Sequence, residues 1–150
     1  MRSVLGQTMI EVILALTLII LFLSGVVVIE LYAIKNADFA RHKSVSTQLA
    51  RQQIERARVV RDSAGINALG VCLTGCYIDN QLTPVPVTPT GKYGQILTIS
   101  ETTVSDCPLP TSIPPPVAYR ADVTVDWSEG SNDITPAPVV RVSSCITDWR

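Results

Sequence analysis

The sequence predicts an α+β fold: a long N-terminal helix, membrane-spanning and then amphipathic, packed on a small antiparallel sheet. Three observations predict it. Val12 to Ile29 is a run of eighteen residues with no charge and no proline. Glu30 to Ala64 is rich in Ala, Gln, Arg and Glu and holds neither proline nor glycine, a composition that favours helix. After Gly65 the pattern changes to short alternating stretches divided by proline, glycine and small polar residues.

The apolar run comes first. Eighteen residues at ~1.5 Å each span about 27 Å, the length needed to cross a bilayer. Thr17 and Ser24 are its only polar residues, so it lacks the polar face of a soluble core helix. In lipid the backbone must satisfy itself, which leaves helix as the state. A cleaved secretory signal needs a basic start, a shorter apolar run and a small-x-small site after it. Arg2 is the only basic residue ahead of the run, no Ala-x-Ala follows it, and Glu11 sits where such signals avoid acid. A retained helix fits better. Glu11 then raises its own question, because an unpaired carboxylate beside lipid is costly.

The helix is expected to continue. Leu31, Ile34, Ala37, Val45, Leu49, Ala57 and Val60 make an approximate helical stripe. Gly65 is the expected C-cap. The helix would run from about residue 8 to about residue 64, roughly 85 Å at the helical rise. The alternative is a break near Asn36–Asp38, separating an anchor from a soluble helix. Charge is uneven along the chain. Residues 30–62 carry seven basic and four acidic groups, whereas residues 63–150 carry four basic and eight acidic ones. A basic segment before an acidic domain points either to a solvated helix face or to an electrostatic partner. No Lys/Arg run is long enough to argue for nucleic acid. His42, the single histidine, is expected to be a solvated helix residue.

The β region follows. "VCLTGCYI" reads as a tight turn at Thr74–Gly75 between apolar arms. "QLTPVPVTPTG" and "CPLPTSIPPPV" read as proline-rich loops, so 82–91 and 108–116 are the exposed segments expected to read partners. "GQILTISETTV" alternates Leu97, Ile99 and Glu101 against Ile96, Thr98 and Ser100. "AYRADVTVDW" places Tyr119, Ala121, Val123, Val125 and Trp127 on one face. "PVVRVSSCITDW" is the last strand. Three or four antiparallel strands are expected in one sheet, whose apolar face the preceding helix covers.

Four cysteines, Cys72, Cys76, Cys107 and Cys145, all follow the apolar run. An even count without zinc-type spacing reads as disulfides in an oxidising compartment, which places residues 65–150 outside the cytoplasm. Of the three pairings four cysteines allow, Cys72–Cys76 with Cys107–Cys145 is favoured. The first closes a small loop around the turn. The second ties the last strand to the loop ahead of its neighbour.

Nothing in the chain reads as catalytic. There is no His/Cys cluster, no glycine-rich phosphate loop and no nucleophile elbow. Asp122 and Asp126 share a strand with parity opposite to Tyr119 and Trp127, so both are expected to face solvent. No cofactor and no metal site is expected.

The stretch "GQTMIEVILAL" resembles the processing site of type IV pilins and type II secretion pseudopilins. That pattern is a short leader ending in Gly, then an apolar helix with Glu at its fifth mature position. "LARQQIERARVVRDS" and the tail "VTVDW…SSCITDWR" look most like minor pilins or minor pseudopilins. The resemblance implies that 1–6 is a leader, 7–29 a transmembrane and filament-core helix, 30–64 its amphipathic continuation and 65–150 an extracytoplasmic β domain. It implies cutting after Gly6 by an inner-membrane prepilin peptidase, methylation of the Gln7 amine, and pairing of Glu11 with the Gln7 amine of a neighbouring subunit. Its implied partners are membrane lipid before assembly, the assembly platform, and other pilin subunits in a helical filament at the cell surface or across the periplasm. DNA uptake stands among the roles of the family, with adhesion, twitching and secretion. Gln7 stands where Phe or Met is usual, the leader has one basic residue, and Ile20 and Val28 stand where many major pilins carry Gly or Pro. The stiffer helix leans towards a minor subunit. The competing expectation is a single-pass, membrane-anchored binding module that does not polymerise.

Overall fold

The computed structural model describes residues 5–86, 91–102, 107, 118–128 and 137–147. The chain divides into two compact units, Met1–Arg41 and His42–Arg150. Helix α1, Leu5–Ala64, contributes to both. It is helical through Asn36–Asp38, where a break was the alternative, and it begins about one turn earlier than expected. It stops at Gly65, whose φ of 83° lies in the left-handed region open to glycine. There the Gly65 N–H donates to Arg61 O at 2.8 Å, closing the last turn.

In the second unit a 3-10 helix, Ile66–Leu73, follows α1. Five strands come next: β1 Cys76–Ile78, β2 Pro84–Pro86, β3 Tyr93–Thr102, β4 Ala118–Trp127 and β5 Val139–Thr147. They form one sheet in the order β2-β1-β3-β4-β5. Every neighbouring pair is antiparallel. The architecture is therefore the α+β arrangement the sequence predicts. The expected loop 108–116 lies outside the described residues, as do 87–90 of the other proline-rich segment.

Three local expectations are corrected. The arm before the Thr74–Gly75 turn is the 3-10 helix, not a strand. Cys72 and Cys76 are bonded there, with Cα atoms 4.6 Å apart. The proline-rich segment contains a strand, β2, so the sheet has five strands rather than three or four. Proline is tolerated because β2 is an edge. The Asp79 N–H donates to Thr83 O, so ladder alternation gives Val85 the bonded position and turns the nitrogens of Pro84 and Pro86 outward. The third correction concerns the buried stripe of α1. It is Ser46, Ala50, Gln53, Ile54, Ala57 and Val60. Val45 and Leu49 lie at its margin, and Leu31 and Ile34 are exposed.

The core joins that stripe to the sheet. Ala50, Ile54, Ala57 and Val60 cluster with Ile78, Leu97, Ile99, Ala121, Val123, Val125 and Ile146. Alternation along β4 buries Ala121, Val123, Val125 and Trp127 on this face, with Tyr119 packed half-buried beside them. A second disulfide, Cys107–Cys145, spans Cα atoms 5.8 Å apart.

Buried Gln53 acts as a substitute strand. β1 pairs with β3 only at Cys76↔Leu97. Ile78, paired in register with Pro84 of β2, therefore has no partner residue in β3, yet it is fully buried. Gln53 Nε2 donates to Ile78 O at 3.2 Å, and the Ile78 N–H donates to Gln53 Oε1 at 3.1 Å. Arg56 also donates to Ile78 O, at 2.7 Å. One side-chain amide thus pairs both backbone groups of Ile78, which burial would otherwise leave costly. Gln53→Leu is expected to destabilise the full-length protein by about 1–3 kcal/mol, because the Ile78 N–H loses its acceptor. Urea unfolding of the full chain measures this. A change below about 0.5 kcal/mol, ordinary for a surface position, contradicts it.

Candidate functional site

The first unit presents an apolar surface with no cover of its own. From Met9 to Ile29 every residue except Val26 is exposed. Leu18, Ile19, Ile20 and Leu21 are each more than half exposed, at 64, 54, 64 and 69%. Four successive residues sweep the full turn of a helix, so this surface is apolar on every side. The segment is long and apolar enough to cross a membrane. Its hydroxyls do not need water: Thr17 Oγ1 donates to Leu14 O and Ser24 Oγ to Leu21 O, each at 2.8 Å.

Glu11 is the one charge between Met9 and Ile29. It is exposed, with Ile10 and Val12 exposed beside it. No hydrogen bond or ion pair joins it to any described residue. Gly6 and Gln7 lie in the first turns of α1. Gln7 precedes Glu11 by four residues, one helical turn. Residues 1–4 of the expected leader, and the side chain of Gln7, lie outside what the structure describes. The basis of the site is therefore an exposed apolar cylinder with one carboxylate near its start that pairs with no described residue.

The second unit places the other singled-out residues. Asp122 and Asp126 share the sheet face opposite α1, and each is half-buried with a setting of its own. Asp122 Oδ1 accepts from Arg120 Nε at 3.1 Å and from Ser143 Oγ at 2.5 Å. Asp126 lies over Gly94, where an added Cβ would collide with the carboxylate. The two are not brought together. Among the described residues no three His, Cys, Asp or Glu side chains converge on one point.

His42 departs from expectation. It is half-buried rather than solvated. Its Nδ1 is 2.7 Å from the Tyr93 hydroxyl, and its ring stacks on Trp127 at a centroid distance of 6.4 Å. Tyr93 and Trp127 face each other across β3 and β4, which builds an aromatic seat for the imidazole. Periodicity along α1 could not reveal this, because the seat depends on the register between helix and sheet. The sequence signal was the pair of aromatic residues at matching strand ends.

A groove of about 280 Å³ separates α1 from β5. Arg51, Glu55 and Arg58 line one side, and Val142, Ser143 and Ser144 the other. Arg58 bridges it, pairing with Glu55 at 2.6 Å and donating to Ser144 Oγ at 2.8 Å. Farther along, Arg61 donates to Thr147 O at 3.2 Å. Part of the basic character of α1 is therefore spent holding β5.

His42→Ala is expected to cost about 1–2 kcal/mol, from the lost hydrogen bond and ring packing. Thermal and urea unfolding of the full chain measure it. A value within about 0.5 kcal/mol of zero would restore His42 to an ordinary solvated position. Compared with known proteins, the chain matches no family model, no curated relative and no solved structure.

Proposed function

We propose that this chain is a structural subunit of a type IV pilus or a related secretion pseudopilus, cut after Gly6 and assembled through its N-terminal helix. One observation carries the reading: Glu11, which pairs with no described residue, is a carboxylate on a helix that is apolar all round and exposed on every side. Such a helix needs a non-aqueous surrounding, and the acid needs a counter-charge inside it.

The proposed sequence of events meets both needs. The helix first sits in the cytoplasmic membrane, with the disulfide-bonded domain outside. Prepilin peptidase cuts after Gly6, which creates a new positive amine at Gln7. The helix then moves from lipid to a bundle of pilin-subunit helices. Lipid tails and neighbouring apolar side chains are similar surroundings, so hydrophobicity does little to choose between them. The discriminating term is electrostatic. In the bundle the Glu11 carboxylate meets the Gln7 amine of a neighbour, and one such contact fixes axial register. A buried pair of this kind contributes more to specificity than to net stability. No catalytic step and no cofactor enters.

The compact second unit, with its own core and disulfides, also suits a membrane-anchored binding module that remains a monomer. The two readings part at Glu11. For the pilin-like subunit, Glu11→Gln leaves cleavage after Gly6 intact and lowers the amount recovered in sheared filaments or pseudopili by about tenfold or more, since one buried partner loses its counter-charge. Immunoblotting of sheared and membrane fractions reads both quantities. Normal incorporation of the variant would sink the proposed role of Glu11.

A further inference from the structure

The two edges of the sheet are built differently. At one edge, the outward positions of β2 are Pro84 and Pro86, which have no N–H to offer. At the other edge is β5, nine residues long. The Trp127 N–H donates to Pro138 O. Ladder alternation from that bond gives Val140, Val142, Ser144 and Ile146 the positions bonded to β4. Val139, Arg141, Ser143, Cys145 and Thr147 therefore turn their backbone N–H and C=O groups away from β4. Thr147 O is taken by Arg61, and Cys145 is held by its disulfide. Among the described residues, the outward backbone groups of Val139, Arg141 and Ser143 have no partner. They form an open hydrogen-bonding edge centred on Arg141.

Both signs of charge stand beside this edge: Asp122 is tied to Arg120 and Ser143, Asp126 lies over Gly94, and Glu55 is tied to Arg58, while two arginines are held by none of these. Arg141 is exposed, on the sheet face away from α1, and its side chain pairs with no described residue. Arg51 is exposed on the other face, lines the groove beside Val142–Ser144 and pairs with no described residue. A second copy pairing edge to edge across this stretch would set Arg141 against Arg141, and like charges directly opposite are destabilising. The edge is thus guarded against self-association and open to a chain of opposite charge.

We propose that the β5 edge is a docking site for an extended acidic segment of another protein. The segment adds as a sixth strand along Val139–Ser143. Its main chain pairs with the free N–H and C=O groups of Val139, Arg141 and Ser143. Alternate side chains place carboxylates against Arg141 on the outer face and against Arg51 in the groove. This is strand addition, in which main-chain bonds give affinity and side-chain parity gives selectivity.

The test uses the full-length protein in zwitterionic detergent and fluorescein-labelled octapeptides read by anisotropy. The first peptide is built from Val, Asp and Glu with carboxylates on both faces. The second carries Lys at each acidic position. Two more are the acidic peptide N-methylated at alternate residues, one for each parity. Saturable binding of the acidic peptide is expected, with none for the Lys peptide. Methylation of one parity should abolish binding, and methylation of the other should leave it unchanged. Arg141→Glu, at an exposed position whose side chain makes no hydrogen bond or ion pair with a described residue, should weaken the acidic peptide about tenfold or more and admit the Lys peptide. Equal binding by both methylated peptides would reduce the site to charge attraction and overturn strand addition. Absence of acidic-peptide binding, or concentration-dependent pairing of the protein with itself through this edge, would overturn the proposed partner.

Discussion

Strands β3, β4 and β5 turn Leu97, Ile99, Ala121, Val123, Val125 and Ile146 towards one side, and the segment of α1 from His42 to Ala64 keeps water off that side. The rest of the second unit depends on this cover. A sheet with one apolar face needs such a cover, and the 3-10 helix adds Leu69 and Cys72 to the same core. The helix can lie close because the residues at the contact include Ser46, Ala50 and Ala57, which are small. Along its flanks longer side chains lock the position. Gln53 and Arg56 hold Ile78 in β1, Arg58 holds Ser144, and Arg61 holds Thr147. The polar residues of the helix thus reach both sides of the sheet while its small residues fill the middle.

The first unit follows the opposite logic. The same helix, α1, carries there an exposed apolar surface, and its hydroxyls are returned to its own carbonyls. One stretch of the helix thus completes a core, and another is exposed along its length. The proposed subunit role gives that surface two successive environments, lipid and a helix bundle. Glu11 is the group whose energy differs most between them, because only the bundle offers it a fixed positive charge.

Much of this was legible in the sequence, for physical reasons that differ by element. The apolar run was plain because lipid-compatible composition needs no knowledge of packing. The strands β3 and β4 were plain because their alternation is strong and their register is set by one buried face. The helix end was plain because Gly65 adopts a conformation that penalises other residues. The buried stripe of α1 was misplaced because Ser46 and Gln53 do not score as apolar, although one is small and the other is paired. β2 was hidden because proline argues against strand unless the edge position is known. His42 was hidden for the same kind of reason, since its seat on Tyr93 and Trp127 exists only once helix and sheet are in register. Glu11, by contrast, was visible as an anomaly, and in the structure it is exposed and pairs with no described residue.

The central claim is that the helix is a processed assembly element and not a plain anchor. Intact-mass and N-terminal peptide analysis of the protein recovered from its native membrane tests this most directly. The account predicts a chain beginning at Gln7 with one methyl group on its amine. A chain that retains Met1 to Gly6 at steady state, with the peptidase present and active on its other substrates, would contradict it.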